Sequence, residues 1–286
     1  MFARNKLIAV LVLVMVPVMA CQAAWMRQEG EIAVSTGVTV SENGNVFDRS
    51  GTLFRNTCGG TVAAPIHVEY GASYYRTYYG NTSLTSYNCG AGQTTGFTDI
   101  ELGMRGRMNL ATNDHTWELA AIIPSYVSAN GAARTPKNFG FKLGLYSTDS
   151  IDPYQTFLAG EMPSGNVVSY GAGVKAWVGH IPNELFGYVG WGHTISNAVW
   201  AENIGGWFFS ARLDGKTSLG KEHTVTPGPL VQDMHDKFSL ISGQVGLSHN
   251  LTQLSSVQFS LNQGLWGRNI GSPSSIHVGY SKVWRD

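Results

Sequence analysis

The sequence predicts an all-β protein: an antiparallel transmembrane β-barrel of about twelve strands. Three observations carry this. First, the 286 residues include only 13% charged side chains, against 43% apolar, 11% aromatic and 35 glycines. A soluble domain ordinarily carries roughly 25% charge. Second, apolar and polar residues alternate with period two over segments of about ten residues, the pattern of a strand with one face in lipid and one in a lumen. Third, the N-terminus reads as a secretory signal, and no later stretch has the roughly 20 apolar residues of a membrane helix, so any span must be made of strands. Lys+Arg and Asp+Glu are 19 each. That balance argues against a nucleic-acid partner, which calls for a basic excess.

Arg4 and Lys6 precede the apolar run 7–20, which is too short for a span and ends in small residues at Ala20, Ala23 and Ala24. This is the make-up of a signal peptide. Residues 1–24 are assigned to it, and 25–286 to the barrel. The rival is lipoprotein processing before Cys21, with Met19 a poor match to a lipobox. Removing 1–24 takes Arg4 and Lys6 from 19 basic residues, leaving 17 against 19 acidic, a net charge of −2.

Strands are expected at 31–40, 60–71, 75–86, 98–110, 116–128, 166–179, 184–196, 203–213, 216–226, 237–249, 254–267 and 273–285. The clearest is 98–110. Ile100, Leu102, Met104, Gly106, Met108 and Leu110 fall on one face, and Asp99, Glu101, Gly103, Arg105, Arg107 and Asn109 on the other. In the last strand Ile276, Val278, Tyr280 and Trp284 oppose His277, Gly279 and Ser281, and Lys282 lies near enough to the chain end to snorkel. A soluble sandwich also alternates. Here, however, Tyr74, Tyr75, Tyr78, Tyr79, Trp117, Trp200, Trp207, Trp266 and Trp284 gather near strand ends, as interfacial girdles do.

Short turns are expected at 71–76, 111–115, 180–184, 214–215 and 250–254. Longer links fall at 41–59, 87–97, 129–165, 197–203, 226–236 and 267–273. Short and long alternate, as periplasmic turns and outer loops do. The longest link, 129–165, reads as an extracellular loop. Ten or fourteen strands remain open, because 138–148 and 154–161 could form a further hairpin and 203–226 divides poorly.

Cys58 and Cys89 then lie in the first and second outer loops, within reach of each other. In an oxidising compartment they are expected to form one disulfide, with two free thiols as the alternative. The inward faces place Glu69, Asp99, Glu101, Arg105, Arg107, Glu118 and Lys175 along the lumen. Opposite charges in a narrow lumen pair. They form either a constriction that selects solutes or a plug that fills the barrel.

The stretch Thr95-Gly96-Phe97-Thr98-Asp99-Ile100-Glu101-Leu102-Gly103-Met104-Arg105 resembles the "GxxDhxLGhRy" strand of the meta-pathway phenol-degradation-like outer-membrane proteins. Three further stretches fit in order: Ala24-Trp25 with Gly30, Val68-Glu69-Tyr70-Gly71, and Gly267-Arg268-Asn269-Ile270-Gly271. The ending Lys282-Val283-Trp284 and the content of 129–165 depart from that family. The resemblance implies a bacterial outer-membrane barrel, in contact with outer-membrane lipid, that passes small hydrophobic or aromatic solutes through a narrow channel.

A monomer is expected. The eight histidines are scattered, and no metal, phosphate-loop or nucleophile-elbow motif is present, so no cofactor, metal or enzymatic activity is expected. Two other readings remain. One is a non-transporting scaffold that presents 129–165, with Tyr146, Tyr154 and Phe157, to a partner. The other, less favoured, is an outer-membrane enzyme.

Overall fold

The computed structural model describes residues 26–42, 45–48, 50–55, 58–89, 92–108, 114–124, 139–150, 166–178, 182–194, 206–220, 237–252, 254–268 and 270–285. The expected signal peptide, Cys21, Trp25, Trp200 and most of 129–165 lie outside these residues.

In chain order the strands are β1 (Ile32–Glu42), β2 (Asn45–Phe47), β3 (Leu53–Arg55), β4 (Cys58–Ser73), β5 (Arg76–Cys89), β6 (Gly92–Phe97), β7 (Ile100–Met108), β8 (Asp114–Ile123) and β9 (Gly140–Ser150). There follow β10 (Asn166–Trp177), β11 (Glu184–Thr194), β12 (Trp207–Ser218), β13 (Ser239–Thr252), β14 (Ser255–Arg268), β15 (Ile270–Gly271) and β16 (Ser274–Trp284). β2, β3 and β15 form a small separate sheet. The others form one sheet in which each strand pairs antiparallel with its neighbours. The sheet closes because β1 pairs with both β4 and β16, Ile32 standing opposite Trp284 and Tyr70. β6 and β7 are two parts of one barrel strand, since both pair with β5. Asn81 faces Glu101 and Leu84 faces Phe97, so three residues oppose two at a bulge around Thr98-Asp99. The result is a closed barrel of 12 strands.

The alternation expected for β7 holds in three dimensions. Ile100 and Leu102 face outward, and Glu101 and Arg105 face inward. The same division runs round the barrel. Val38, Val40, Val62, Leu102, Leu119, Leu143, Leu145, Val189, Leu213 and Val278 are each about half exposed on the outside. Glu69, Thr77, Arg105, Thr116, Glu118, Ser169 and Ser210 are buried inside. A water-soluble protein reverses this distribution. A continuous apolar exterior round a closed sheet matches lipid, where a barrel leaves no backbone edge unpaired. Tyr74, Tyr75, Tyr78, Trp207 and Trp284 are exposed at the end that carries the chain termini, as an aromatic girdle is, and Trp266 is exposed at the opposite end. Tyr79 departs from that expectation. It faces the lumen and is buried.

The count of twelve is reached by a different route from the one the sequence suggested. Residues 140–150, expected inside a long extracellular loop, form barrel strand β9, paired with β8 and β10. Phe141, Leu143 and Leu145 face out, and Lys142 and Tyr146 face in. Conversely, 203–213 and 216–226 are not two strands. β12 runs through the expected Asp214-Gly215 turn, with Asp214 opposite Tyr188 and Ser242. Asp-Gly favours a tight hairpin. Here unbroken partners on both sides hold the backbone extended, and Asp214 pairs with Arg212 on the same inward face. These two changes move the 180–184 connection to the same end as the 41–59 link. β11 then ends, and β12 begins, at the end that carries the termini.

Residues 26–31 turn back into the mouth at the termini. The Arg27 amide donates to Thr77 Oγ1 (2.9 Å), the Gly30 amide to the Gly71 carbonyl (2.9 Å) and the Gly71 amide to the Glu31 carbonyl (2.9 Å). Gly30 takes φ of 81°, a conformation that suits glycine. Gly71 must be glycine for a steric reason, because a Cβ there would lie 1.8 Å from the Gln28 carbonyl oxygen. Arg285 Nε donates to Glu31 (2.6 Å), tying the last strand to this segment.

Candidate functional site

The lumen wall made by β4, β5, β7, β8 and β9 carries a chain of alternating charges. Each charged residue points inward by the period-two rule of its strand. Glu69 stands at its centre. It receives Arg27 Nε on one oxygen (2.5 Å) and Arg105 Nη1 on the other (2.6 Å). Arg105 also donates Nε to Glu118 (2.9 Å), its cross-strand partner. Glu118 accepts Lys142 Nζ (2.6 Å), and Lys142 reaches on to Glu101 (2.9 Å). Arg27, Arg105 and Lys142 thus balance Glu69, Glu101 and Glu118, and the network is neutral.

Neutral groups complete the hydrogen bonding. Tyr79 OH donates to Glu101 (2.9 Å) and Tyr146 OH to Glu118 (3.1 Å). His67 contacts Glu69 through Nε2 (3.0 Å) and Asn81 through Nδ1. Glu69 and Glu118 are 1% exposed and Arg105 is 6% exposed. Carboxylates so placed are retained only with full pairing, because removing one partner leaves an uncompensated charge in a poorly solvated space.

Aromatic rings face the same space. The Arg105 guanidinium lies 4.7 Å from the Tyr79 ring centre, and Arg212 lies 3.9 Å from that of Tyr188. Tyr146 and Tyr188 stack at 6.0 Å, with Phe186 packed against them. Glycine makes the room. A Cβ on Gly103 would stand 2.4 Å from the Tyr79 ring, and one on Gly171 would stand 2.3 Å from Tyr146. Much of the glycine content of these strands is therefore shape-matching to inward aromatics.

Of the residues expected in the lumen, the fold brings together Glu69, Glu101, Arg105 and Glu118. Arg107 lies toward the termini, with its guanidinium 4.4 Å from the Tyr74 ring centre. Asp99 sits in the bulge between β6 and β7. Lys175 is the cross-strand partner of Lys142 and Glu184 and does not join the network among the described residues. Sequence reasoning missed Arg27, which precedes the first strand, and Lys142, which lay in the supposed loop. Only the alternation of 141–146 could have revealed Lys142.

Cys58 and Cys89 do not lie in separate loops. They end β4 and β5 and stand directly opposite each other in register, at the end away from the termini.

No protein-family model and no curated protein matches this sequence. Among solved structures, an outer-membrane channel from Pseudomonas putida F1 matches with a TM-score of 0.67 at 11% identity, over 92% of this chain and 98% of that one. LpxR from Salmonella typhimurium matches with a TM-score of 0.49 at 13% identity, over 87% and 99% of the two chains. The Pseudomonas putida toluene transporter TodX matches with a TM-score of 0.39 at 9% identity, over 88% of each. At these identities the likeness to the first is one of fold: the chain shares the barrel architecture of a bacterial outer-membrane channel.

Proposed function

We propose that the protein is a bacterial outer-membrane channel that admits small hydrophobic or aromatic solutes through a narrow lumen. The observation that carries this is the character of the inward wall. A fully paired network presents an ion with no net counter-charge, while the rings of Tyr79, Tyr146, Tyr188 and Phe186 pack on the same inward wall. An uncharged aromatic solute loses little hydration on entering such an aromatic-rich, net-neutral lumen, whereas an ion loses its water without gaining a net counter-charge. The barrel fold shared with the Pseudomonas putida channel supports the reading, as does the resemblance of 95–105 to the meta-pathway phenol-degradation-like proteins. Removal of residues 1–24 on export, action as a monomer and a disulfide between Cys58 and Cys89 belong to the same reading.

The test uses one refolded sample. A heat-modifiable band on a gel establishes the folded barrel, and planar-bilayer recording then reads its conductance. The expected result is small discrete steps that phenol reduces saturably. Steps that phenol leaves unchanged would refute the aromatic assignment. A folded barrel with no steps would refute the channel and favour the non-transporting scaffold, a reading to which the tight pairing of the network also lends itself.

A further inference from the structure

The charged wall holds one side chain of a type that ordinarily changes charge near neutral pH, the imidazole of His67. His67 lies on the inward face of β4, two residues before Glu69, opposite Asn81 on β5 and Ser35 on β1. Its side chain is 18% exposed, whereas that of Glu69 is 1% exposed. Because the ring points inward, that exposure is to the lumen. The lumen reaches the ring but hardly reaches the carboxylate that the ring touches.

Both ring nitrogens are engaged. Nε2 lies 3.0 Å from Glu69 Oε1, a carboxylate oxygen held between two arginines, so Nε2 carries a hydrogen and donates it. Nδ1 faces the side-chain amide of Asn81. An amide offers an acceptor oxygen on one side and a donor NH2 on the other, and a half-turn exchanges them. With the oxygen toward the ring, as in this structure, Asn81 accepts from a protonated Nδ1. With the NH2 toward the ring, it donates to a bare Nδ1. A proton can therefore enter or leave Nδ1 while each nitrogen keeps a partner. His277, on the inward face of β16, differs. It is held by Thr39 Oγ1 at 2.9 Å and by Gln258 Nε2 at 3.3 Å, and touches no carboxylate among the described residues.

The groups around His67 set what a proton there would do. Glu69 attracts it. Arg105, 2.6 Å from the same Glu69 oxygen, and Arg27, 2.5 Å from the other, oppose it. Tyr79 presents its ring at 6.1 Å and gives its hydroxyl hydrogen to Glu101, and Ser35 is neutral. Glu101, in register with Asn81, is engaged by Tyr79 and Lys142. Arg27, Arg105 and Lys142 already balance Glu69, Glu101 and Glu118, so a proton on His67 is surplus charge. We propose that His67 is a proton-operated charge switch in the lumen. Proton uptake turns the neutral wall singly positive and moves the channel's preference toward anions. The effect on ion flow rests on the channel reading, whereas the proton uptake does not.

Reversal potentials in a KCl gradient across a planar bilayer test the effect, with the full mature chain. Between about pH 8 and pH 5.5 the chloride-to-potassium permeability ratio should rise about fivefold, the weight of one unit charge near contact in water. His67→Gln, which can still donate to Glu69 but cannot gain a proton, should lose that rise, and His277→Gln should keep it. A rise that persists in His67→Gln would overturn the proposal, as would wild-type protein with none.

A second measurement needs no current. Deuterium exchange at the imidazole Cε1, read for each histidine by mass spectrometry in lipid-refolded protein, reports proton uptake directly. The rate at His67 should step with pH over the same range. Asn81→Leu, which takes away the acceptor for a protonated Nδ1, should move the step to lower pH. A His67 rate without a step would overturn the proposal even in a conducting barrel. A step in a barrel that passes no current would uphold the switch and refute the channel reading instead.

Discussion

Replacing Arg105 with Met isolates the centre of the network. The guanidinium holds two buried carboxylates, Glu69 at 2.6 Å and Glu118 at 2.9 Å, and stacks on Tyr79. Removing one partner of a buried ion pair costs roughly 3–5 kcal/mol. Glu69 keeps Arg27 and Glu118 keeps Lys142, so each carboxylate retains one cation. The loss should therefore fall at the low end, about 3 kcal/mol, with on the order of 1 kcal/mol more for the lost ring contact.

Urea unfolding of the barrel in lipid vesicles, followed by tryptophan fluorescence, measures this directly. The double variant Arg105→Met with Glu118→Gln neutralises the stranded carboxylate. It should be less destabilised than the two single changes summed, by up to about 3 kcal/mol. Removing the positive charge also leaves two cations against three carboxylates, so the reversal potential in a salt gradient should shift toward cation preference. A cycle that is additive within about 0.5 kcal/mol would refute the idea that these side chains act as one coupled network.

Three further outcomes follow from the same geometry. Gly103→Val should displace the Tyr79 ring and break its bond to Glu101, lowering stability by about 1–3 kcal/mol, whereas Gly215→Val, where no atom lies within 4 Å of a Cβ, should leave urea unfolding unchanged. Alkylation of the oxidised protein should find Cys58 and Cys89 blocked, and reduction should lower its resistance to urea by about 2–4 kcal/mol; two free thiols in protein exported to an oxidising compartment would contradict the pairing that their register suggests. Deleting 132–162 should abolish the heat-modifiable band altogether, since it removes β9 and leaves β8 and β10 without their common partner; a folded barrel after that deletion would contradict the topology.

What the sequence determined by itself is local. In Ile100–Met108 the side-chain period of two gives the strand and its lipid and lumen faces without reference to any other part of the chain. The same holds for Ile32–Glu42 and for Ser274–Trp284, where the outward Ile276, Val278 and Tyr280 are legible directly. So Glu69, Glu101, Arg105 and Glu118 could be assigned to a lumen from alternation alone.

Alternation does not say which strands are neighbours. Gly140–Ser150 alternates as well as its neighbours do, but it is flanked by glycine- and polar-rich chain that reads as loop, and only pairing with β8 and β10 identifies it. At Asp214-Gly215 a strong local turn signal yields to two rows of backbone hydrogen bonds. Arg27 and Lys142, which complete the charge balance, are tied to Glu69 and Glu118 across 42 and 24 residues of chain, and barrel closure brings them into reach. A strand's face follows from the geometry of its own backbone, whereas its partners follow from the closure of the whole sheet. Which charges meet is thus a property of tertiary structure.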